Sequence, residues 1–430
     1  MQDGVFDLPQ WLNNTSPSHY ETDHELQRGD FRYLTVVHNS TGTISLSNIT
    51  VYWTTSPEME TPAAWTVWYT GAYTSQIFSV DPTTGVTLGA PFAGWYYNYR
   101  ISNGTSVLVD GGKQNRVVWP GDIVISGLSI FVSTNSLEPI RNALGSLFIC
   151  QEIDGRLPLA GYLLVQGQYK LGAKYPLQPI DSTGLANVTS SSDWGRGGMG
   201  GRNIEANSIL PYTLHNALKL AAIIIASISG AANNPLWDEL AFIDGIANGT
   251  QAGAISNALK GRWVRPYSAP AVETDKTISP FATSFELQAH YMAGHSDYTV
   301  NLMEFISHAR GWSTVLTSIL TFLAGGLTLT SAVGETWKVA PPLGGLKNVQ
   351  TGHETPLEKF ATSWTNNTWG LSDTFVTPLS TLGTLDIPLA VGSRSMGLKG
   401  PAGSREMQLV GLSTATIMDR PGGNDSLDIV

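Results

Sequence analysis

Hydrophobic and polar residues alternate over short stretches in residues 31–171, and turn residues separate these stretches. Trp95, Tyr97 and Tyr99 share one face of such a stretch, and Trp119-Pro-Gly-Asp122 gives a turn signal before an apolar run at 123–132. Alternation with a period of two is typical of half-buried strands. The pattern predicts a β-rich domain over 31–172, of the jelly-roll, sandwich or barrel type.

Residues 210–340 follow a helical period instead. Apolar residues recur at spacings of three and four from Leu214 to Ile228. Further helices are predicted at 250–260, 299–310 and 312–323, each followed by one or two glycines that suit a helix C-terminus. The exception is 281–291, where alternating apolar positions predict a strand. This block is predicted to be a helical domain or insertion.

Three segments show neither the alternation typical of strands nor the apolar spacing typical of helices. Residues 1–30 form a polar N-terminal arm, and 173–209 form a linker rich in Gly and Ser. Residues 341–430 are predicted to be loop-rich, with two apolar stretches, at 385–391 and 407–417, returning to the sheets. The chain is therefore predicted to be an α+β protein with a β-rich N-terminal half, a helical block in the middle and an irregular C-terminal segment.

The low charge of the chain bears on its partners. Charged residues make up 13% of the 430 residues, against about 25% in typical soluble proteins. Interface cores are depleted of charge and enriched in aromatic residues. The composition therefore predicts a homo-oligomer of many copies, and the candidate self-association residues are Trp65, Trp68, Trp95 and Tyr97. A sugar-stacking platform is the alternative use of these aromatic side chains.

The acidic balance of the chain disfavours tight binding to nucleic acid. The net charge is −10, and Arg28 is the one basic residue among the first thirty. Residues 195–200 match the letters GxGxxG but lack the preceding strand and following helix that a dinucleotide site needs. We therefore interpret them as part of the linker. Arg196 and Arg202 stay candidates for weak or indirect contact with RNA.

No motif for catalysis or metal binding stands out. The chain has no GxSxG elbow, HExxH pair, Walker loop or CxxC pair. His290 and His295 are five residues apart, which suits neither one helix face nor a usual zinc pair, and Glu304 with His308 is interpreted as a surface pair. We expect no catalytic residues, no cofactor and no metal. A glycosidase would need two carboxylates close in space, which sequence alone does not place.

The stretch 311–334 carries no charge between Arg310 and Glu335. Its recurrent Ser and Thr, and the pair Gly325-Gly326, favour a buried helix followed by a strand over a stable membrane span. A transient contact with a membrane through this segment is the alternative.

The Thr-, Ser- and Asn-rich strands of 31–171, turns such as Trp119-Pro-Gly-Asp122 and the low charge together resemble coat proteins of non-enveloped icosahedral RNA viruses. The resemblance implies a jelly-roll shell domain that self-assembles into a capsid around an RNA genome. It also implies a non-enzymatic protein located in the virion, and in the host cytoplasm during assembly. Two alternatives stay open: a carbohydrate-binding or adhesin-type β protein, and a hydrolase of unrecognised family.

Overall fold

The computed structural model describes part of the 430 residues. The described residues are 19–21, 34–50, 67–85, 99–112, 116–151, 157–158, 160–161, 181–188, 192–193, 196–197, 200–202, 207, 249–264, 270, 278–303, 314–331, 334–342, 346–367 and 370–430.

The chain divides into two compact units. Unit 1 comprises Met1–Cys150, Leu157–Tyr169 and Met303–Val430. Unit 2 comprises Gln151–Arg156 and Lys170–Leu302.

Helices and strands both occur among the described residues, which confirms the predicted α+β class. The helices are α1 Val67–Ile77, α2 Pro120–Thr134, α3 Glu138–Ile149, α4 Gly249–Gly261, α5 Pro280–Met292, α6 Ser296–Met303 and α7 Val315–Ile319, which continues as a π-helical turn at Leu320–Ala324. The strands before the C-terminal region are β1 Ser79–Val80, β2 Val107–Leu108, β3 Ser192–Asp193 and β4 Arg196–Gly197.

Most of the strands lie in the C-terminal quarter of the chain. They are β5 Leu327–Leu329, β6 Thr336–Val339, β7 Asn348–Thr355, β8 Glu358–Asn367, β9 Gly370–Val376, β10 Leu382–Pro388, β11 Ser395–Lys399, β12 Arg405–Gln408, β13 Thr414–Pro421 and β14 Asn424–Ile429. They form a four-stranded sheet in the order β13-β10-β6-β5 and a six-stranded sheet in the order β12-β11-β14-β9-β8-β7. The β6–β10 pair is parallel, and the other pairs are antiparallel.

The two C-terminal sheets share one hydrophobic core. Trp337, Leu385 and Ile387 enter it from the four-stranded sheet, and Trp364 and Phe375 enter it from the six-stranded sheet. We call this part, residues 327–430, the C-terminal sandwich. The expectation that 341–430 is loop-rich is therefore wrong, although the late apolar stretches do lie in or beside sheet strands. The cause is that no strand contributes more than two buried hydrophobic residues to the core, and polar residues separate them, so the apolar signal of the segment is weak.

The predicted strand at 123–132 is instead part of helix α2. Pro120 occupies the start of the helix, where the missing N–H is not needed, and Asp122 lies in the first turn. Ile123 and Ile130 are buried while Val124 and Leu128, four residues apart, are exposed. The run of β-branched residues obscured this helical period, and the helix-start signal was interpreted as a turn.

The predicted strand at 281–291 is likewise a helix, α5. Its buried residues Thr283, Glu286, Leu287 and His290 recur at three- and four-residue spacing. The predicted β-rich domain over 31–172 contains helices α1 to α3 and, among its described residues, only the short strands β1 and β2. The jelly-roll expectation for this region is therefore not supported in its described residues.

Several helical predictions hold. The structure places α4 at Gly249–Gly261, against a predicted 250–260, and the segment after residue 314 is a short helix followed by strand β5. The predicted helix at 214–228 lies outside the described residues. Of the predicted helix at 299–310, residues 299–303 belong to α6 and residues 304–310 lie outside the described part of the chain. Within the described parts of the chain, no helix combines the length and the apolar character needed to cross a membrane.

Candidate active site

The described ends of the loop between Asp110 and Val117, residues 110–112 and 116–117, carry a buried carboxylate. The backbone N–H of Asp110 donates to the carbonyl oxygen of Val117 at 3.2 Å. The N–H of Val117 donates back to Oδ1 of Asp110, also at 3.2 Å. The Asp110 side chain is fully buried. Because amide donors interact favourably with an anionic oxygen, the Val117 N–H stabilises a negative charge on Asp110.

The same loop buries a positive charge. Arg116 has a positive φ of 42° and its side chain folds back, so that Nε donates to the carbonyl oxygen of Gly112 at 2.6 Å. Only 5% of Arg116 is exposed. A guanidinium offers five N–H donors in a rigid plane, and buried charges are retained where they pair with other charges or bind ligands.

A second buried carboxylate follows at the start of helix α2. Asp122 lies in the first turn, where the helix dipole favours negative charge, and its side chain is buried. Trp119 precedes the helix in an extended conformation. Its indole Nε1 is buried and has no hydrogen-bond partner among the described residues. A buried indole N–H without a partner is a donor that suits a ligand hydroxyl.

Neighbouring segments hold this region in place. Helix α3 fixes the segment before the loop, because the side-chain amide of Asn142 donates to the carbonyl oxygen of Ser106 at 2.8 Å. The backbone N–H and hydroxyl of Thr105 donate to Glu138 at 3.0 and 2.8 Å. These two bonds, the backbone one first, lower the pKa of Glu138. The segment that leads to Asp110 is therefore attached to a helix rather than free.

Asp110, Arg116, Trp119 and Asp122 form the candidate active site of unit 1. They are set among the buried apolar residues Val109, Val117, Val118 and Ile123. Functional sites often combine such groups: two buried carboxylates, a guanidinium and an indole N–H, surrounded by apolar residues. Such groups can bind the hydroxyls of a polar substrate and stabilise positive charge that develops on it.

Unit 2 contains a separate buried polar network. The hydroxyl of Ser256 on α4 lies 2.7 Å from Nδ1 of His290 on α5 and 2.7 Å from Nδ1 of His295. Nε2 of His290 lies 3.5 Å from Oε1 of Glu286, which accepts the Trp263 indole N–H at 2.6 Å. We call Ser256, Glu286, His290 and His295 the serine–histidine network.

If His290 is neutral, one position of its single ring proton fits the contacts of this network best. A hydroxyl donates one hydrogen bond, so Ser256 donates to one imidazole and accepts from the other. If Ser256 donates to His290, the remaining His290 proton lies on Nε2, facing the Glu286 carboxylate. The order acid, histidine, serine is that of a catalytic triad. Ser256 is 1% exposed and His290 is fully buried, so the network lies in the interior of unit 2.

Metal binding has no support in the described residues, among which no group of three or more His, Cys, Asp or Glu side chains is placed to hold an ion. Through Ser256 on α4 and His290 on α5, the serine–histidine network connects these two helices. Glu304 and His308, which the sequence predicts to form a surface pair, lie outside the described residues.

The residues predicted as sites are dispersed. Nε of Arg202 donates to Asp181 at 2.5 Å, and Arg196 lies in the short strand β4, paired with β3. Hydrogen bonds from Thr183, then from Arg202, lower the pKa of Asp181 to about 2. Contact of either arginine with RNA stays a prediction.

Of the predicted self-association residues, only one lies in the described part of the chain. The indole N–H of Trp68 on α1 donates to the hydroxyl of Thr321 at 3.0 Å, so its polar edge is used within unit 1. Trp65, Trp95 and Tyr97 fall outside the described residues. Homo-oligomer formation and a transient membrane contact through 311–334 stay predictions.

The residues of the candidate active site were missed by sequence analysis. Asp122 was interpreted as part of a turn, although a proline followed two residues later by an acidic residue is a helix-start signal. Asp110 stands before Gly111-Gly112, where a tight loop could have been expected. Nothing in the spacing of Asp110, Arg116 and Asp122 marks them as a set, because their burial arises only when the chain folds.

Comparison with known proteins shows a likeness of fold. The structure is similar to an α-L-rhamnosidase from Dictyoglumus thermophilum, with 12% sequence identity and a TM-score of 0.53 over 75% of this chain and 47% of that one. It is also similar to the Streptomyces avermitilis α-L-rhamnosidase in complex with L-rhamnose, with 13% identity and a TM-score of 0.53 over 76% of this chain and 40% of that one. No protein-family model matches the chain. No curated protein sequence matches it either.

These comparisons overturn the coat-protein hypothesis. A self-assembling capsid protein, a location in the virion and the absence of enzymatic function were all expected, and each is contradicted by a fold shared with enzymes. The hypothesis failed because low charge is not specific to shell proteins, and because part of the alternating pattern in 31–171 belongs to helices such as α2. The chain spans less than half of either enzyme's length. Over three quarters of its own length, the chain has the fold of these two α-L-rhamnosidases.

Proposed function

We propose that the chain is a glycoside hydrolase whose candidate active site is formed by Asp110, Arg116, Trp119 and Asp122. The observation that carries the proposal is the fold that the chain shares with two α-L-rhamnosidases. The buried carboxylates of unit 1 supply the chemistry, because glycosidic cleavage passes through a positively charged, oxocarbenium-like transition state.

The surroundings of the two carboxylates assign them a role. Asp110 accepts the amide N–H of Val117, and Asp122 lies at the N-terminal end of a helix. Both environments interact favourably with a negative charge. The two side chains therefore suit stabilising the charge on the sugar ring and binding its hydroxyls better than donating a proton. A general acid would be a different group.

The test is hydrolysis of a panel of 4-nitrophenyl glycosides that includes the α-L-rhamnoside. We expect turnover of at least one glycoside. We expect Asp110→Asn and Asp122→Asn each to lower kcat/KM by about 10²–10⁴-fold, since the amide keeps the shape but loses the charge. The matched control is Glu406→Gln, a carboxylate replaced at an exposed position of β12.

Two outcomes would contradict the proposal. One is the absence of turnover on every glycoside of the panel. The other is an equal rate for Asp110→Asn, Asp122→Asn and the Glu406→Gln control. Binding of a sugar without turnover would support a carbohydrate-binding protein in place of an enzyme.

A further inference from the structure

A groove of about 680 Å³ lies in unit 1, between the C-terminal end of α2 and strands β7, β8 and β9. We call it the sheet groove. Its volume falls within the range of about 300–1,000 Å³ that is typical of small-ligand sites. None of the candidate active-site residues lines it.

Two small residues on neighbouring strands form the floor of the sheet groove. Gly352 on β7 lies directly opposite Ala361 on β8, and both line the groove. A Cβ atom added at Gly352 would lie 2.8 Å from the carbonyl oxygen of Phe360 and 3.0 Å from the Cβ of Ala361. Because no large side chain rises from these two positions, the apolar face of a ring-shaped ligand can lie on them.

The walls of the sheet groove are rich in uncharged hydrogen-bonding groups. Asn135, Gln350 and Ser363 line it, and the structure shows no side-chain hydrogen bond from any of the three to another described residue. Asn135 also follows the last turn of α2, where carbonyl groups give a partial negative charge that favours donors such as sugar hydroxyls.

The charged side chains that line the groove have opposite signs. Glu354 and Lys359 are the charged residues among those described as lining it, and they lie opposite each other on β7 and β8. The groove therefore carries no net charge to attract an anionic or cationic ligand. This favours a neutral occupant with many hydroxyl groups.

The two walls of the groove are fixed relative to each other. His353, next to Gly352 in β7, points into a cage of three phenylalanine rings at centroid distances of 5.2 to 5.9 Å: Phe131 of α2, Phe322 and Phe360. Since one of these rings belongs to α2 and another to β8, the cage holds the helix end against the sheet. A preorganised groove loses less entropy when a ligand binds.

We propose that the sheet groove is a binding site for a neutral glycan, separate from the candidate active site. A sugar ring lies with its apolar face over Gly352 and Ala361, and its hydroxyls bond to Asn135, Gln350 and Ser363. The site goes beyond the proposed hydrolysis, because it binds carbohydrate without cleaving it.

The test is retardation of the full chain in native gels that contain polysaccharide. The probes are neutral galactomannan, neutral β-glucan, a neutral rhamnose-containing polysaccharide and the acidic polygalacturonate. Ala361→Leu fills the floor of the groove and should weaken retention about tenfold or more, equal to roughly 1.4 kcal/mol. The matched control, Thr365→Leu, adds bulk at an exposed position of the same strand outside the groove and should leave retention unchanged.

A second variant covers the case in which Ala361→Leu fails to fold. Gln350→Ala with Ser363→Ala removes two hydrogen-bonding side chains at the surface and should also weaken retention. Hydrolysis of small aryl glycosides should be the same in all groove variants as in the unmodified chain. The proposal is overturned if no neutral polysaccharide retards the chain, if only polygalacturonate does, or if the groove variants and Thr365→Leu behave alike. Groove-dependent retention without hydrolysis would leave this proposal standing and remove only the proposed function.

Discussion

Two regions of unit 1 bury carboxylates, and they do so in different ways. In the loop and helix start at 110–122, Asp110 and Asp122 meet backbone N–H groups and a helix N-terminus. In the C-terminal sandwich, Asp373 and Asp425 point from β9 and β14 into the closed space between two sheets. Both pairs are almost fully buried.

The sandwich neutralises its carboxylates internally. Arg420 donates from Nε to Asp425 at 3.0 Å and from a terminal nitrogen to the same oxygen. Asp373 accepts the hydroxyl of Thr362 at 2.9 Å, and burial raises its pKa to about 7. Burial of an acidic side chain therefore does not by itself identify a catalytic group. What differs is whether the acid is enclosed between sheets or carried by a loop and a helix end.

The largest effect on stability is expected from breaking the buried ion pair. Arg420→Met leaves the Asp425 carboxylate without its cation inside the sandwich, and we expect a loss of about 3–5 kcal/mol in the free energy of unfolding. The control is Lys338→Met, which breaks the exposed pair of Lys338 with Asp386, 2.6 Å apart, and should cost about 1 kcal/mol or less. Urea denaturation measures both. Similar losses in the two variants would show that the sandwich tolerates an unpaired acid.

A somewhat smaller effect, dependent on pH, is expected at Asp373. Its pKa is raised from 3.8 to about 7 in the folded state, so the folded chain holds a proton that the unfolded chain loses at lower pH. This contribution to stability is complete below about pH 4 and is lost as the pH rises through 7. Asp373→Asn should therefore be more stable than the unmodified chain at pH 8, by roughly 3 kcal/mol, and not at pH 4.

Asp386 supplies the control for this effect, because hydrogen bonding to Lys338 lowers its pKa. Asp386→Asn should cause no gain in stability at pH 8. Unfolding in urea at pH 4, 6 and 8 distinguishes the two variants. A gain for Asp373→Asn that is the same at all three values would mean that packing, and not ionisation, is responsible.

A third effect should run in the opposite direction at His353. Burial lowers the pKa of His353 from 6.5 to about 4. Its contribution to stability is present above pH 6.5 and is lost as the pH falls through 4, because the unfolded state takes up the proton first. His353→Phe keeps a ring in the phenylalanine cage, and at pH 5 it should retain about 2 kcal/mol that the unmodified chain has lost. Thermal unfolding at pH 5 and 7.5 tests this, and parallel losses in both proteins would contradict it.

The smallest effect is expected in unit 2, where the buried group is a shared hydroxyl. Ser256→Ala removes the hydroxyl between His290 and His295 and leaves a buried imidazole nitrogen without that bond. We expect a loss of about 1–2 kcal/mol. Asn257→Ala removes an exposed acceptor for Tyr298 from the next position of α4 and should cost less. Equal losses would show that the network adds nothing beyond an ordinary surface bond.

Part of the fold could be predicted from the sequence. Helix α4 ends at the glycine that marked its end, and the uncharged segment after residue 314 is a helix followed by a strand. In both cases a glycine at the helix end fixed the boundary locally. The α+β class was predicted because the sequence contains both helical spacing and strand-like alternation of apolar residues. The strands, however, were placed in the wrong half of the chain.

The rest depended on contacts between distant segments. The strand prediction at 123–132 followed β-branched side chains, whereas packing against α3 and the strands around residue 107 made the segment a helix. The C-terminal strands have little apolar content of their own, and partners such as Trp337 and Phe375, far apart in sequence, bring them together. The candidate active site was invisible for the same reason, because Asp110 and Asp122 are common residue types and their burial follows from the fold.

The position of β14 has a consequence for synthesis of the chain on the ribosome. In sequence it follows the other strands of the six-stranded sheet, yet in space it lies between β9 and β11. Until residues 424–429 emerge, β9 and the β11–β12 hairpin each present an open edge, and exposed edges invite pairing with other nascent chains. We therefore expect the sandwich to close only after residues 424–429 have been synthesised, which makes the nascent chain a natural client for chaperones that cover unpaired strands.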